Sequence, residues 1–165
     1  MKTRMLLVGL VGLIFLFAAA GLQVYADDYP QRVGYVNDFA GIFSPEEASA
    51  LDGKLKDFHQ TSRIEIIVIT MPSLEAGKTA SDYLQELSEN WKTGGRSILL
   101  LMAPKRERGG TAINLGSEIK QDFSPVIAWQ TVYKDMFPGA MVGQANKGIV
   151  KAVERIIRYY LGKSL

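Results

Sequence analysis

A chain of 165 residues with 19 Lys and Arg, 17 Asp and Glu, one His and no Cys excludes disulfides, thiol nucleophiles, thiolate metal sites, a lipidated cysteine anchor and two-histidine metal centres. The small positive excess comes from Lys2 and Arg4, so the remainder is charge-balanced and presents no global field for nucleic acid or acidic polymers. Stability must come from packing, in a chain long enough for one ordinary core.

Lys2 and Arg4 precede an apolar run from Met5 to Leu22 that closes on Val24-Tyr25-Ala26, a pattern suited to signal peptidase cleavage before Asp27. Residues 1–26 are therefore expected to be a signal peptide that delivers the protein to the periplasm or medium. The run is close to the lower limit of about 18 residues for a spanning helix, so the alternative is an uncleaved anchor that tethers the chain to the membrane. Residues 27–35, with Pro30, read as an extended lead-in, and 36–162 as a single domain.

The domain opens on a polar turn, Asn37-Asp38-Phe39-Ala40-Gly41, whose Asn and Asp side chains can bond the backbone or hold a cation. Ser44, Pro45 and Glu47 then write a helix start: an N-cap, a residue needing no N–H, and the partner of a capping box. Ala48, Leu51, Leu55 and Phe58 recur at helical spacing, with Asp52, Lys54, Lys56 and Asp57 on the opposite side. Ile64 to Met71 is β-branched and nearly continuous, as in a strand covered on both faces, and Pro72-Ser73 ends it.

Thr79 is the expected cap of a second helix with the stripe Ala80, Tyr83, Leu84, Leu87 and Trp91, and Gly94-Gly95 the expected left-handed turn after it. Ser97 to Ala103 and Thr111 to Leu115 read as an antiparallel pair joined by a basic loop. In a helix over Ser124 to Phe137 the stripe is Val126, Trp129, Tyr133 and Met136, with Pro138-Gly139 as its stop. A last helix from about Val142 to Leu161 has the stripe Ala145, Ile149, Val153, Ile156 and Tyr160. The sum is an α/β fold resembling a three-layer sandwich, a small mixed β-sheet flanked by about four helices.

The segments Val36-Asn37-Asp38, Ala40-Gly41, Ser44-Pro45-Glu46, Val68 to Ser73, Trp91, Leu99 to Ala103 and Gly116, in this order of elements, resemble the TPM domain family across nearly the whole chain after the leader. The resemblance implies two kinds of activity. Some members are credited with divalent-cation binding and phosphate-monoester hydrolysis, others with assembling or repairing membrane complexes. Two family loops are altered here. A glycine-rich loop with Asp or Asn before the second strand is shortened to Thr93-Gly94-Gly95-Arg96, and a Gly-Tyr-Gly-Leu-Glu-Gly run after the third is reduced to Gly116-Ser117-Glu118. Many members also carry a C-terminal membrane helix, and none is expected in residues 142–165.

The residues themselves offer four sites. Asn37 and Asp38 are the best candidates for a hard cation such as calcium or magnesium, with Glu118 and Asp122 as further oxygen ligands from the segment after the third strand. The competing reading gives Asn37 and Asp38 a turn and the other two solvent or a cap. Gly94-Gly95-Arg96-Ser97 could receive a phosphate, but it follows a helix, where anion cradles precede one, so a helix-terminal turn is the better reading. His59, the only histidine, lies near a helix end and lacks the serine elbow of a hydrolytic triad.

Lys147, Lys151, Arg155 and Arg158 recur at four, four and three residues along the last helix, a basic stripe for an acidic partner or an anionic membrane surface. The loop residues Lys105, Arg106 and Arg108 add a second patch. The plainer reading is a solvated helix face with Glu154 pairing within it. The expected function is that of an exported, non-catalytic accessory factor for an envelope or membrane-associated protein complex. The alternative is a divalent-cation-dependent phosphatase built on Asp38.

Overall fold

Four strands form a mixed sheet in the order β1-β2-β3-β4, with β1 (Val36–Asp38), β2 (Glu65–Thr70) and β3 (Ser97–Ala103) parallel and β4 (Gly110–Leu115) antiparallel to β3. The structure, a computed structural model, describes residues 29–105 and 107–162. The expected leader, residues 1–26, the start of the lead-in and Arg106 lie outside the described residues, and the compact domain begins at Gln31. Among the described residues no helix is long and apolar enough to cross a membrane.

The sheet is covered on both faces, which is why β2 and β3 read as continuous apolar runs. Alternate residues Ile66, Val68, Ile98, Leu100 and Met102 join a core with Leu51, Leu55 and Phe58 of α1 (Pro45–Ser62) and Ile149, Val153 and Ile156 of the C-terminal helix. The other set, Ile67, Ile69, Leu99 and Leu101, is equally buried on the face that carries α2 (Ala80–Asn90) with Tyr83, Leu84 and Leu87. Both capping boxes form: Ser44 Oγ accepts from the Glu47 N–H at 3.2 Å while Glu47 accepts from the Ser44 N–H at 2.9 Å, and Thr79 and Asp82 repeat the arrangement.

β1 is absent from a sequence reading because three residues that include Asn and Asp carry little strand propensity. The turn after α2 also differs from expectation. Lys92 (φ 51°), not Gly94 or Gly95, takes the left-handed conformation. The glycine demand lies instead at Gly116, where a Cβ would sit 2.7 Å from the Gly94 carbonyl oxygen. The backbones of the two shortened loops are thereby pressed together, with the Glu118 N–H donating to the Gly95 carbonyl at 3.0 Å.

After the one-turn helix α3 (Ile119–Asp122), the chain forms α4 (Pro125–Gln130), a π-helical segment (Thr131–Met136) and α5 (Phe137–Met141) as one continuous run, followed by α6 (Ala145–Tyr160). Here the expected stripe holds only at Met136. Val126, Trp129 and Tyr133 point to solvent, and the buried positions are Ile127, Thr131, Val132, Asp135 and Met136. Two side-chain rows compete on such a helix. The buried one is selected by close approach to α6, where a Cβ on Gly148 would lie 2.9 Å from the Asp135 carbonyl oxygen and 3.1 Å from that of Met136.

Pro138 does not stop the helix either. Lacking an N–H and crowding the carbonyl four residues back, it sits in the first turn of α5 after a widened ladder in which the Phe137 N–H donates to the Val132 carbonyl. The chain reverses at Gly143 (φ 71°).

Candidate functional site

Asn37 is 1 % exposed, and its amide is fully engaged. Its Oδ1 accepts from the N–H groups of Val33 (2.7 Å) and Gly34 (3.3 Å), and its Nδ2 donates to the carbonyls of Gly34 (3.1 Å) and Val68 (3.3 Å). This ties the lead-in to β2. Asp38 is spent in a similar way: Oδ1 accepts from the Ile42 N–H at 3.1 Å and from the Thr70 hydroxyl, and Oδ2 from the Phe43 N–H at 2.9 Å. Thr70 in turn accepts from the Ala40 N–H at 3.0 Å. The carboxylate thus closes the loop that leads into α1.

A third residue completes this arrangement. Asp52, on α1, accepts from the N–H groups of Tyr35 (2.8 Å) and Val36 (3.0 Å) and so holds the entry to β1. Its position on the polar side of α1 suggested only solvent, and no sequence signal links it to a strand 16 residues upstream.

Glu118 and Asp122 are not brought to Asp38. Asp38 pairs with Thr70 and Thr70 with Met102, at the C-terminal end of the parallel strands, whereas Gly116 donates to Ser97 at the other end. Five residues of β3 separate those levels, roughly 17 Å at about 3.3 Å per residue. Hence the four oxygen-bearing residues do not surround one ion, and among the described residues no group of three His, Cys, Asp or Glu side chains is placed to hold a metal. Glu118 instead stands 3.9 Å from Arg96, whose Nε donates to the Arg63 carbonyl at 3.2 Å. The Arg96 guanidinium, the cation of the phosphate reading, is tied through Nε to the end of α1. His59 is half-buried, with Nδ1 2.9 Å from the Tyr35 hydroxyl.

The basic stripe divides. Lys147 and Lys151 are exposed, while Arg155 forms a bidentate pair with Asp135, with Nη2 3.0 Å from Oδ1, and donates through Nη1 to Gln130 at 2.9 Å. That hydrogen-bonded pairing holds the Arg155 pKa above its ordinary value despite partial burial. Arg155 therefore fastens α6 to the π-helical segment. Arg158 is exposed, 3.9 Å from Glu154 one turn earlier.

Beside Lys147 and Lys151 lies a groove of about 490 Å³ between α1 and α6. Phe43, Ala50, Leu51 and Val150 give it an apolar lining, and Lys54, Lys147, Lys151 and Glu47 stand at its edge. Lys54 reaches Glu154 at 3.3 Å, and Glu47 keeps its charge while accepting from the neutral Asn146 amide at 3.2 Å, so Lys147 and Lys151, which form no ion pair among the described residues, leave the rim with a net positive charge. Sequence spacing located the lysines but not the groove, because its two walls are about 100 residues apart in the chain.

The TPM domain, as a sequence family, matches residues 36–159. The chain belongs to the TPM domain family. Among the solved structures that share its fold, three illustrate the match. They are the N-terminal domain of a protein from P. gingivalis (19 % identity, 77 % of this chain and 81 % of that chain, TM-score 0.66), the N-terminal domain of the cg2496 protein from Corynebacterium glutamicum (14 %, 84 % and 88 %, 0.62), and the BA42 protein from Bizionia argentinensis (18 %, 72 % and 83 %, 0.57). At these identities the likeness extends to the fold alone. No curated protein matches the sequence. In this TPM domain the opening motif is a structural clasp, and the accessible features are the groove and the helical run that follows β4.

Proposed function

We propose that this TPM-domain protein is a non-catalytic accessory factor of an envelope protein complex, and that it holds an acidic, partly apolar segment of a partner protein in the groove between α1 and α6. The observation that carries this reading is the pairing of an apolar lining with two exposed ammonium groups, Lys147 and Lys151, that form no ion pair among the described residues. Such a groove favours a segment that buries aliphatic side chains and places carboxylates at its rim. The Asn37 and Asp38 contacts support it from the other side, since the oxygens a phosphatase would use for metal or water are occupied by backbone N–H groups and Thr70.

A photo-crosslinking residue at Val150, in the full chain expressed in its own cells, is expected to give one discrete adduct with an envelope protein. Lys147→Glu with Lys151→Glu should reduce that adduct at least tenfold, by reversing two rim charges. A crosslink yield unaffected by the reversals, or adducts spread over many proteins, would remove the groove as a docking site.

A further inference from the structure

The helical run over α4, the π-helical segment and α5 carries Val126, Trp129, Tyr133, Phe137 and Met141 in a row, each 46–61 % exposed. Five large apolar side chains in one exposed line exceed the scattered surface hydrophobes of an ordinary domain. The alignment has a geometric cause. In an α-helix of 3.6 residues per turn, residues four apart drift steadily round the axis, but the wider π-helical turns reverse that drift. Trp129, Tyr133, Phe137 and Met141 therefore share one side, with the Trp129 and Tyr133 rings stacked at 5.6 Å.

The charge around this line has one sign. Lys134 Nζ lies 5.9 Å from the centre of the Trp129 ring. Lys134 also shares a small cleft with Lys147 and Lys151, and Lys105 stands across a cavity of about 380 Å³ from Phe137 and Met141. The only acidic residue between Ser124 and Gln144 is Asp135, which is 8 % exposed and neutralised by Arg155. Glu107, on the β3–β4 loop, is outnumbered there by Lys105, Arg106 and Arg108 in the sequence.

From this we infer that the α4–α5 face docks on an anionic phospholipid surface, with Trp129, Tyr133, Phe137 and Met141 entering the headgroup–acyl boundary and Lys134, Lys105, Lys147 and Lys151 meeting the phosphates. An indole and a phenol stacked beside ammonium groups suit that boundary, where apolar bodies enter and polar tips stay hydrated. A second copy is a poor occupant, since it would set Lys134 and its neighbours against the same charges. A fluid bilayer, unlike a folded partner, needs no complementary groove to cover a convex stripe. Lys147 and Lys151 border both this face and the groove between α1 and α6, whereas the aromatic row and Lys134, on which the proposal rests, do not line the groove.

The test uses the full chain with Trp91→Phe, leaving Trp129 as the only indole, and vesicles of equal parts phosphatidylglycerol and phosphatidylcholine carrying brominated acyl chains. Because the apolar run at residues 5–22 can itself enter vesicles, the readout is Trp129 emission rather than binding. Docking predicts a blue shift and bromine quenching. Tyr133→Ser with Phe137→Ser should reduce the quenched fraction at least tenfold, through lost apolar burial. Lys134→Gln should weaken it about fivefold, the equivalent of about 1 kcal/mol per cation at such a surface. Vesicle-bound protein with water-like, unquenched Trp129 would overturn the proposal, as would equal insertion into neutral phosphatidylcholine or a blue shift that follows protein concentration without lipid. Val150→Gln, which changes the groove lining without adding a negative charge beside Lys147 and Lys151, should leave the quenching unchanged.

Discussion

The turn between β1 and α1 and the helical run between α3 and α6 treat their most conspicuous side chains in opposite ways. At the end of β1, where the turn begins, Asn37 and Asp38 have the oxygens of a cation or catalytic site, yet they are consumed by backbone N–H groups, carbonyls and Thr70. In the helical run, Trp129 and Tyr133 have the size of core residues and stand in solvent. Residue type states what a side chain can do. The partners delivered by the backbone decide what it does, and a chain reversal delivers many unpaired amides to any short polar side chain within it.

The largest effect expected from a single change lies beneath the exposed stripe. Asp135→Ala removes the partner of Arg155, leaving a largely buried guanidinium bonded only to Gln130. Breaking such a pair costs roughly 3–5 kcal/mol, measurable as a lower midpoint in urea unfolding. A cost under about 1 kcal/mol would mean that the α6 fastening does not depend on this pair. Asn37→Ala comes next, at about 2–3 kcal/mol, because the Val33 and Gly34 N–H groups and the Gly34 carbonyl lose their buried side-chain partner.

Asp38→Ala sharpens the comparison further. As a clasp, Asp38 contributes stability that is the same with and without divalent cations, so the variant should lower the thermal midpoint by an equal amount in calcium, magnesium or chelator. A rise in the wild-type midpoint with one of these ions that vanishes in Asp38→Ala would return a cation to the turn, by mass action on the folded state, and would reopen the phosphatase reading.

The starts of α1 and α2 were legible, because Ser44-Pro45-Glu46-Glu47 and Thr79 to Asp82 encode their caps within four residues, whereas α3 was not read and α6 begins at Ala145 rather than near Val142. The buried strands were legible from β-branched runs, and the family from the opening motif. What escaped was non-local. β1 exists because Asp52 and Asn37 pin it to α1 and β2, which neither its three residues nor the period of α1 announces. The buried side of the helical run is chosen by Gly148 and by the Arg155–Asp135 pair, both dependent on α6. The basic stripe illustrates the same limit: spacing aligned Lys147, Lys151, Arg155 and Arg158, and only tertiary contact shows that Arg155 is internally engaged.

Tyr160 offers a smaller, pH-dependent test at the end of α6. Its hydroxyl has no hydrogen-bond partner among the described residues, and burial, followed by the nearby Tyr159 and Asp122, pushes its pKa from 10.0 up to about 12. The folded state therefore holds this proton more tightly than the unfolded chain. The corresponding stability is complete below pH 10 and is lost as the pH rises from there through about 12. Tyr160→Phe should be nearly neutral at pH 7 and should fall less steeply in stability above pH 10; parallel curves for the two proteins would place the ring in water instead.

The smallest expected change in stability settles the comparison between the two regions. Trp129→Ser would cost roughly 3–5 kcal/mol if the indole were core, as its size and helical spacing suggest. On a face 52 % exposed, where its neighbours are Tyr133 and Lys134, the loss should stay near 0.5 kcal/mol, the scale of an ordinary surface substitution. Urea unfolding of the two proteins reads this directly. A loss of core size would mean that the helical run rotates to bury its aromatic row in solution, and the lipid-facing stripe would have no exposed indole to offer. A small loss would separate the two roles of the segment, since Asp135 and Met136 would then hold it to the fold while Trp129 and Tyr133 remain free for a partner that the fold itself does not need.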